Sequence, residues 1–283
     1  MEKKIVSFAA ALMIVAISNS AALALSPMGP PKALLGLDRW DIGIEYGHQA
    51  MDLEADCKVT EIDIIPGPDD FTIIRNVEND IDNLKSNIIM VRAGYGINDN
   101  WDAFVRLGLA DAQGDMEQIY PDCAMDEFKG FDGSFGFGWG FGTRATFWQD
   151  EELSWGGLFQ ITWLQPDDSS ITLAGDTEFS GKAEIDIREV QIAVGPTWRV
   201  DDNVRVYGGP FLHFIDGDLD ISGRTVDMGD EILTETTGDI EEESQFGGYV
   251  GAHLDVDENT SCFIECQLTG DAWGIGLGAA RRF

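Results

Sequence analysis

Between residues 135 and 147 the chain sets Phe135, Phe137, Trp139, Phe141, Thr143, Ala145 and Phe147 on one side of an extended strand. Gly136, Gly138, Gly140, Gly142, Arg144 and Thr146 fall on the other. A period of two belongs to a strand whose faces meet different surroundings. A soluble sandwich buries its aromatic face and puts polar residues in water, whereas here the second face is glycine and arginine. Glycine weakens a strand, so a crowded polar interior has to justify it. Nine further segments alternate in the same way: 40–54, 86–97, 101–110, 153–165, 184–200, 204–215, 245–256, 261–269 and 272–283. In the first, Trp40, Ile42, Ile44 and Tyr46 oppose Asp41, Gly43 and Glu45.

The connections alternate in length. Residues 98–100, 149–152, 201–203 and 257–260 are short and polar, whereas 50–85, 111–133, 166–183 and 216–244 are long. Trp40, Trp101, Phe147, Trp148, Trp155 and Trp198 flank short turns. Short turns on one rim, long loops on the other and aromatic residues at strand ends give the layout of a transmembrane β-barrel. The fold class read from this pattern is all-β: a closed antiparallel transmembrane barrel of about ten strands, with eight and twelve as alternatives. In hydrocarbon every main-chain polar group must be paired, and closing the sheet removes its open edges. Val59–Ile65 and Phe71–Val77 flank Pro66-Gly-Pro-Asp-Asp70, which predicts a hairpin extending beyond the membrane rather than two more spanning strands.

Residues 1–24 read as a secretory signal peptide: a charged start, an apolar run from Ile5 to Ala16 and a small-x-small site at Ala22-Leu23-Ala24. Residues 25–38, with three prolines, read as an amino-terminal linker or ordered tail, and 39–283 as the barrel domain. The formal net charge is −33, which argues against nucleic acid as a partner. The four long connections carry −26 of it, so the acid is concentrated in what this topology makes the extracellular loops.

Two stretches resemble bacterial outer-membrane β-barrel proteins of the small OmpA-like type. One is the strand–turn–strand run Gly94-Tyr95-Gly96-Ile97-Asn98-Asp99-Asn100-Trp101, and the other is the last strand from Trp273 to Phe283. The resemblance implies an outer-membrane location in a Gram-negative envelope. It also implies outer-membrane lipid and the assembly machinery as partners, with Phe283 as the terminal aromatic of the assembly signal.

By alternation Glu45, Arg92, Arg106, Arg144 and Glu265 point inward at similar depth, which predicts a mid-lumen ionic network, since charges there are costly unless paired. Cys57 and Cys123 lie in neighbouring long connections and are the disulfide candidate. Cys262 and Cys266 are four residues apart on one strand face, about 13 Å at ~3.3 Å per residue, too far to bridge. Asp216, Asp218 and Asp220 resemble the start of a calcium loop and are a candidate divalent-cation site for Ca2+ or Mg2+, although Ile221 stands where the loop needs glycine. No other cofactor is expected. His213, with Asp216 and Asp218 close in sequence, is the single candidate for rim-located catalysis. No nucleophile-elbow, zincin or phosphate-loop pattern occurs.

A ten-strand barrel has little free lumen once side chains fill it. The expectation is therefore a monomeric, non-enzymatic barrel with a structural or surface-interaction role through its acidic loops. The alternatives are a narrow passive pore for small or cationic solutes and an outer-membrane enzyme with its site at the rim.

Overall fold

The computed structural model describes residues 25–64, 71–119, 125–167, 169–173, 178–227, 230–242, 245–270 and 272–283. The expected signal peptide lies outside these residues. Twelve strands are described: β1 (Trp40–Ile64), β2 (Phe71–Asn98), β3 (Trp101–Ile119), β4 (Met125–Gln149), β5 (Leu153–Asp167), β6 (Ser169–Leu173), β7 (Glu178–Arg199), β8 (Val204–Asp227), β9 (Asp230–Glu241), β10 (Phe246–Asp255), β11 (Thr260–Leu268) and β12 (Ala272–Arg282). All pairings are antiparallel.

Two rings share this sheet. The lower ring has ten strands, running β1–β2–β3–β4–β5–β7–β8–β10–β11–β12 and closing through β12 onto β1. At its lower rim Phe283 N–H donates to Trp40 O at 2.8 Å, tying the carboxyl-terminal end to the start of the first strand. Above it, β6 pairs with β4 and β7, and β9 pairs with β8 and β1. The upper ring is thus β1–β2–β3–β4–β6–β7–β8–β9, with eight strands. The ten alternating segments are the ten strands of the lower ring.

The long connections are a correction: most of 50–85, 111–133, 166–183 and 216–244 is strand. The expected hairpin at 59–77 is present as the outer parts of β1 and β2. Their sequence explains why. Along β1 the inward residues run Asp41, Gly43, Glu45, Gly47 and Gln49, then Met51, Leu53, Ala55, Cys57 and Val59. The outward ones run Trp40, Ile42, Ile44, Tyr46, then Asp52, Asp56 and Lys58. Alternation continues unbroken, but the apolar set changes sides near Ala50. β8 does the same, with Leu212 and Phe214 outward below and Asp216, Asp218 and Asp220 outward above, while Ile215, Leu219 and Ile221 turn inward. The lower ring therefore has an apolar exterior of the kind a membrane barrel presents, and along β1 and β8 the upper ring turns its apolar residues inward and its charged residues outward.

The lower belt is broad. Ile42, Ile44, Val91, Val105, Leu107 and Phe137 are each more than half exposed. Trp40, Trp101, Trp155 and Trp198 ring the short-turn rim. Trp139 and Trp163, stacked with centroids 4.2 Å apart at 9°, sit ten residues up their strands. On strands tilted by ~40°, ten residues rise about 25 Å, the height of an apolar barrel band.

Three short turns use one device. Asp150, Asp201 and Asp257 each accept two main-chain N–H bonds from residues two and three further on, at 2.8–2.9 Å. These aspartate turns mimic a main-chain turn and fix the strand register. Donation from the Leu153 and Glu152 amides holds the Asp150 carboxyl below its ordinary range, and the Asn259 amide leads the same effect at Asp257.

Candidate functional site in the lumen

The inward glycines leave a shaft. Residues 25–37 fill it, with Leu25 deepest and Leu37 at the short-turn rim. This segment makes no strand pairing. Its main chain is instead bonded, almost group by group, by side chains from the surrounding strands.

The N–H groups meet acceptors. Leu25 N–H donates to Gln49 Oε1 at 3.0 Å and Ser26 N–H to Glu189 Oε1 at 2.9 Å, while the Ser26 hydroxyl donates to Glu189 Oε2. Met28 and Gly29 N–H both reach Glu265, at 2.6 and 2.8 Å. Ala33 N–H donates to Thr146 Oγ1 at 3.1 Å, Leu34 and Leu35 to Asp102 Oδ2 at 2.6 and 3.3 Å, and Leu37 to Asp99 Oδ1 at 3.2 Å. Pro27, Pro30 and Pro31 have no N–H and ask for no acceptor. The carbonyls meet donors: Ser26 O takes Gln267 Nε2 at 3.1 Å, Pro27 O takes Arg106 Nη1 at 3.0 Å, and Met28 O takes Arg144 Nη2 at 2.6 Å. A buried main chain without such partners is costly at every group.

Close approach explains particular glycines. A Cβ on Gly96 would lie 2.0 Å from Gly36 O, and one on Gly156 would lie 2.3 Å from Pro31 O. Gly29 has φ +70°, the left-handed turn that lets Met28 and Gly29 face one carboxylate.

The five residues expected to form one ionic network divide into two groups. Glu45, Arg92 and Arg106 do meet: Arg92 Nε lies 3.1 Å from Glu45 and Arg106 Nη1 lies 3.6 Å from it. Arg92 also pairs with Asp41 at 2.6 Å, a partner the alternation placed inward but did not single out. Arg144 and Glu265 instead clasp the 25–37 segment, and Glu265 also accepts from Tyr207 and Gln267. Phe104 sits among all three arginines, its ring centroid 5.6, 5.9 and 4.8 Å from the guanidinium carbons of Arg92, Arg106 and Arg144. A ring face so placed spreads cationic charge that carboxylates do not neutralise.

The calcium-loop reading is corrected. Asp216, Asp218 and Asp220 occupy alternate outward positions on regular strand β8, so they stand about 6.6 Å apart along it rather than curling round an ion. Among the described residues no group of three or more His, Cys, Asp or Glu is arranged to hold a metal ion. In register across β1, β9, β8 and β7 lie Asp56, Asp239, Asp218 and Asp186, an aspartate row on the outside of the upper ring.

The His213 constellation is corrected too. His213 points inward, opposite to Asp216 and Asp218. Its Nε2 meets Glu189 at 3.0 Å, and its Nδ1 meets Glu242. The ring is buried beneath the upper core, away from the rim where catalysis was considered. Cys57 faces the upper interior, and its expected partner Cys123 lies outside the described residues. Cys262 and Cys266 are unbridged on β11. Phe283 ends the lower rim, its side chain exposed.

No protein-family model matches the chain, and no curated protein matches it. Solved structures similar to it include the outer membrane protease OmpT from Escherichia coli, with 9% identity, 92% of this chain and 98% of that chain covered, and a TM-score of 0.37. The outer membrane protein OprG from Pseudomonas aeruginosa gives 10%, 88%, 98% and 0.35. The attachment invasion locus protein Ail of Yersinia pestis gives 14%, 87%, 99% and 0.22. The barrel assignment rests on the strand pairing itself.

Proposed function

We propose that this chain is a plugged outer-membrane barrel that holds an acidic, strand-built extension outside the membrane as an interaction surface. Its short-turn rim faces the periplasm and its upper ring projects outward. One observation carries the reading: the shaft of the lower ring is occupied by residues 25–37, with main-chain groups bonded to Gln49, Asp102, Arg106, Arg144, Glu189 and Glu265. A lumen closed by its own chain does not supply a solute path.

The exterior of that upper ring supports the surface role. Asp52, Asp56, Glu184, Asp218, Asp220 and Asp239 are exposed there. A single-sign surface raises the local concentration of cationic partners and repels like-charged copies of itself, consistent with a monomer. The inward, doubly carboxylate-bound His213 supports a role without catalysis.

Planar-bilayer recording tests the seal. Purified intact protein inserted into lipid is expected to give no discrete conductance steps, and ohmic steps would favour the pore reading. Proteoliposomes are expected to bind polylysine but not polyglutamate, with binding falling as salt rises through the ~10 Å Debye-length regime. Binding indifferent to salt would remove the electrostatic surface role.

A further inference from the structure

The deep end of the lumen segment is built as a seat for a chain end. Leu25 is 1% exposed and lies against the β12 backbone, where a Cβ on Gly274 would come within 3.2 Å of it. Its nitrogen meets Gln49 Oε1 at 3.0 Å, and Glu189 binds the next residue through both its amide and its hydroxyl. Gln49 and Glu189 also line a small cavity whose other walls include Met51, Leu84, Ile187 and Ile215. The buried charged residues of the described chain include six carboxylates and three guanidinium groups. Even with His213 protonated, the interior holds more negative than positive charge, and one more cation would lower the cost of burying it.

We propose that Leu25 is the amino terminus of the working protein and that its α-ammonium group is the innermost packing element of the lumen, held by Gln49, with Glu189 fixing the adjoining Ser26. The inference goes beyond the surface role and does not depend on it. It requires hydrolysis of the Ala24–Leu25 amide by an export-processing protease. Water adds across the bond, leaving a carboxylate on Ala24 and an amine on Leu25 that takes up a proton. Because the Leu25 nitrogen lies beside Gln49, inside a closed ring, a protease cannot reach it after closure. Cleavage therefore precedes closure, and the freed end is enclosed as the strands pair around it.

Intact mass and amine labelling of the full mature protein test this without removing any part of it. The mass is expected to correspond to a chain beginning at Leu25. A free α-amine, with a pKa near 8, outcompetes lysine, near 10.4, for an acylating ester at about pH 7.5. The seat reverses that order. In the native barrel the exposed Lys58 and Lys182 are acylated while the Leu25 amine is at least roughly a hundredfold slower, reacting only through local opening. Heat-unfolded protein labels at Leu25 first. Gln49→Leu and Glu189→Gln are each expected to raise native labelling of Leu25 at least tenfold with Lys58 labelling unchanged, and either variant suffices if the other fails to fold. A chain beginning elsewhere, or a native Leu25 amine that labels faster than Lys58, overturns the proposal.

Discussion

Replacing Glu265 with alanine should loosen the lumen segment more than any other single lumen change. The carboxylate accepts from Met28 N at 2.6 Å, Gly29 N at 2.8 Å, Tyr207 Oη at 2.9 Å and Gln267 Nε2 at 2.8 Å. A hydrogen bond to a charged group contributes about 1.5–3 kcal/mol, and removing the acceptor leaves two buried amides without a partner. The gross loss is offset because a fully buried carboxylate no longer has to be desolvated. The expected net destabilisation is about 3 kcal/mol for Glu265→Ala and about half that for Glu265→Gln, which keeps one oxygen in place. Urea unfolding in detergent micelles, followed by tryptophan fluorescence, measures it. Tryptic cleavage after Lys32 gives a local readout, since that half-buried residue becomes accessible only when the segment leaves the shaft. A change in stability below about 0.5 kcal/mol, the level of an ordinary surface substitution, together with an uncut Lys32, would refute the view that Glu265 holds the segment.

Gly96→Ala places a methyl group where Gly36 O now sits; overpacking of this kind costs roughly 1–3 kcal/mol and should speed cleavage at Lys32, whereas an unchanged cleavage rate would show that the segment does not run against β2. Asp239→Asn interrupts the row Asp56–Asp239–Asp218–Asp186. Like charges directly opposite each other destabilise a sheet, so the variant should be more stable by about 0.5 kcal/mol at low salt, and the gain should vanish near ~1 M salt. A gain that persists in high salt assigns the effect to something other than repulsion. For Asp150, whose folded carboxyl is held below its ordinary range by the Leu153 and Glu152 amides, the stabilisation is complete above the unfolded pKa near 4 and is lost as pH falls through the depressed folded value. Acid titration of Asp150→Asn should show a shallower fall in stability below about pH 4 than the parent, and parallel curves would count against the turn as the cause.

The lower ring was readable because its apolar outside and its polar shaft demand opposite residue types, so each step of the alternation is a contrast, as at Phe137 and Gly138. The upper ring was harder to read for a physical reason. On the upper ring acid replaces aromatic residues on the outer face, and the same period appears as a charged connection. Met51, Leu53, Ala55, Cys57 and Val59 continue β1 without a missed beat, but the charged residues between them draw the eye to loops. Alternation also gives a side chain's direction without its partner. It placed Arg144 and Glu265 inward, yet both turn to main-chain groups of residues 28 and 29, over a hundred positions away. Residues 25–37 carry no period at all, because their conformation is dictated by side chains from many strands. The retrospective signal is the joint one of three prolines that ask for no acceptor and a lower ring whose inner wall is rich in glycine.

The change of sides near Ala50 works as a depth gauge. Sinking the barrel by two residues would drag Asp52 and Asp216 into acyl chains, a penalty that grows toward the midplane to roughly 2–4 kcal/mol per cation and somewhat less per carboxylate. Raising it would strand the tryptophan ring of the lower rim in hydrocarbon. The molecule thus carries its own waterline, written into the strands themselves, and the ladders shift register at the same level, at Met51/Leu53, Asp82/Lys85, Ala110/Ala112 and Ser134/Phe137, so that the ten-strand ring hands over to the eight-strand ring where the apolar side changes.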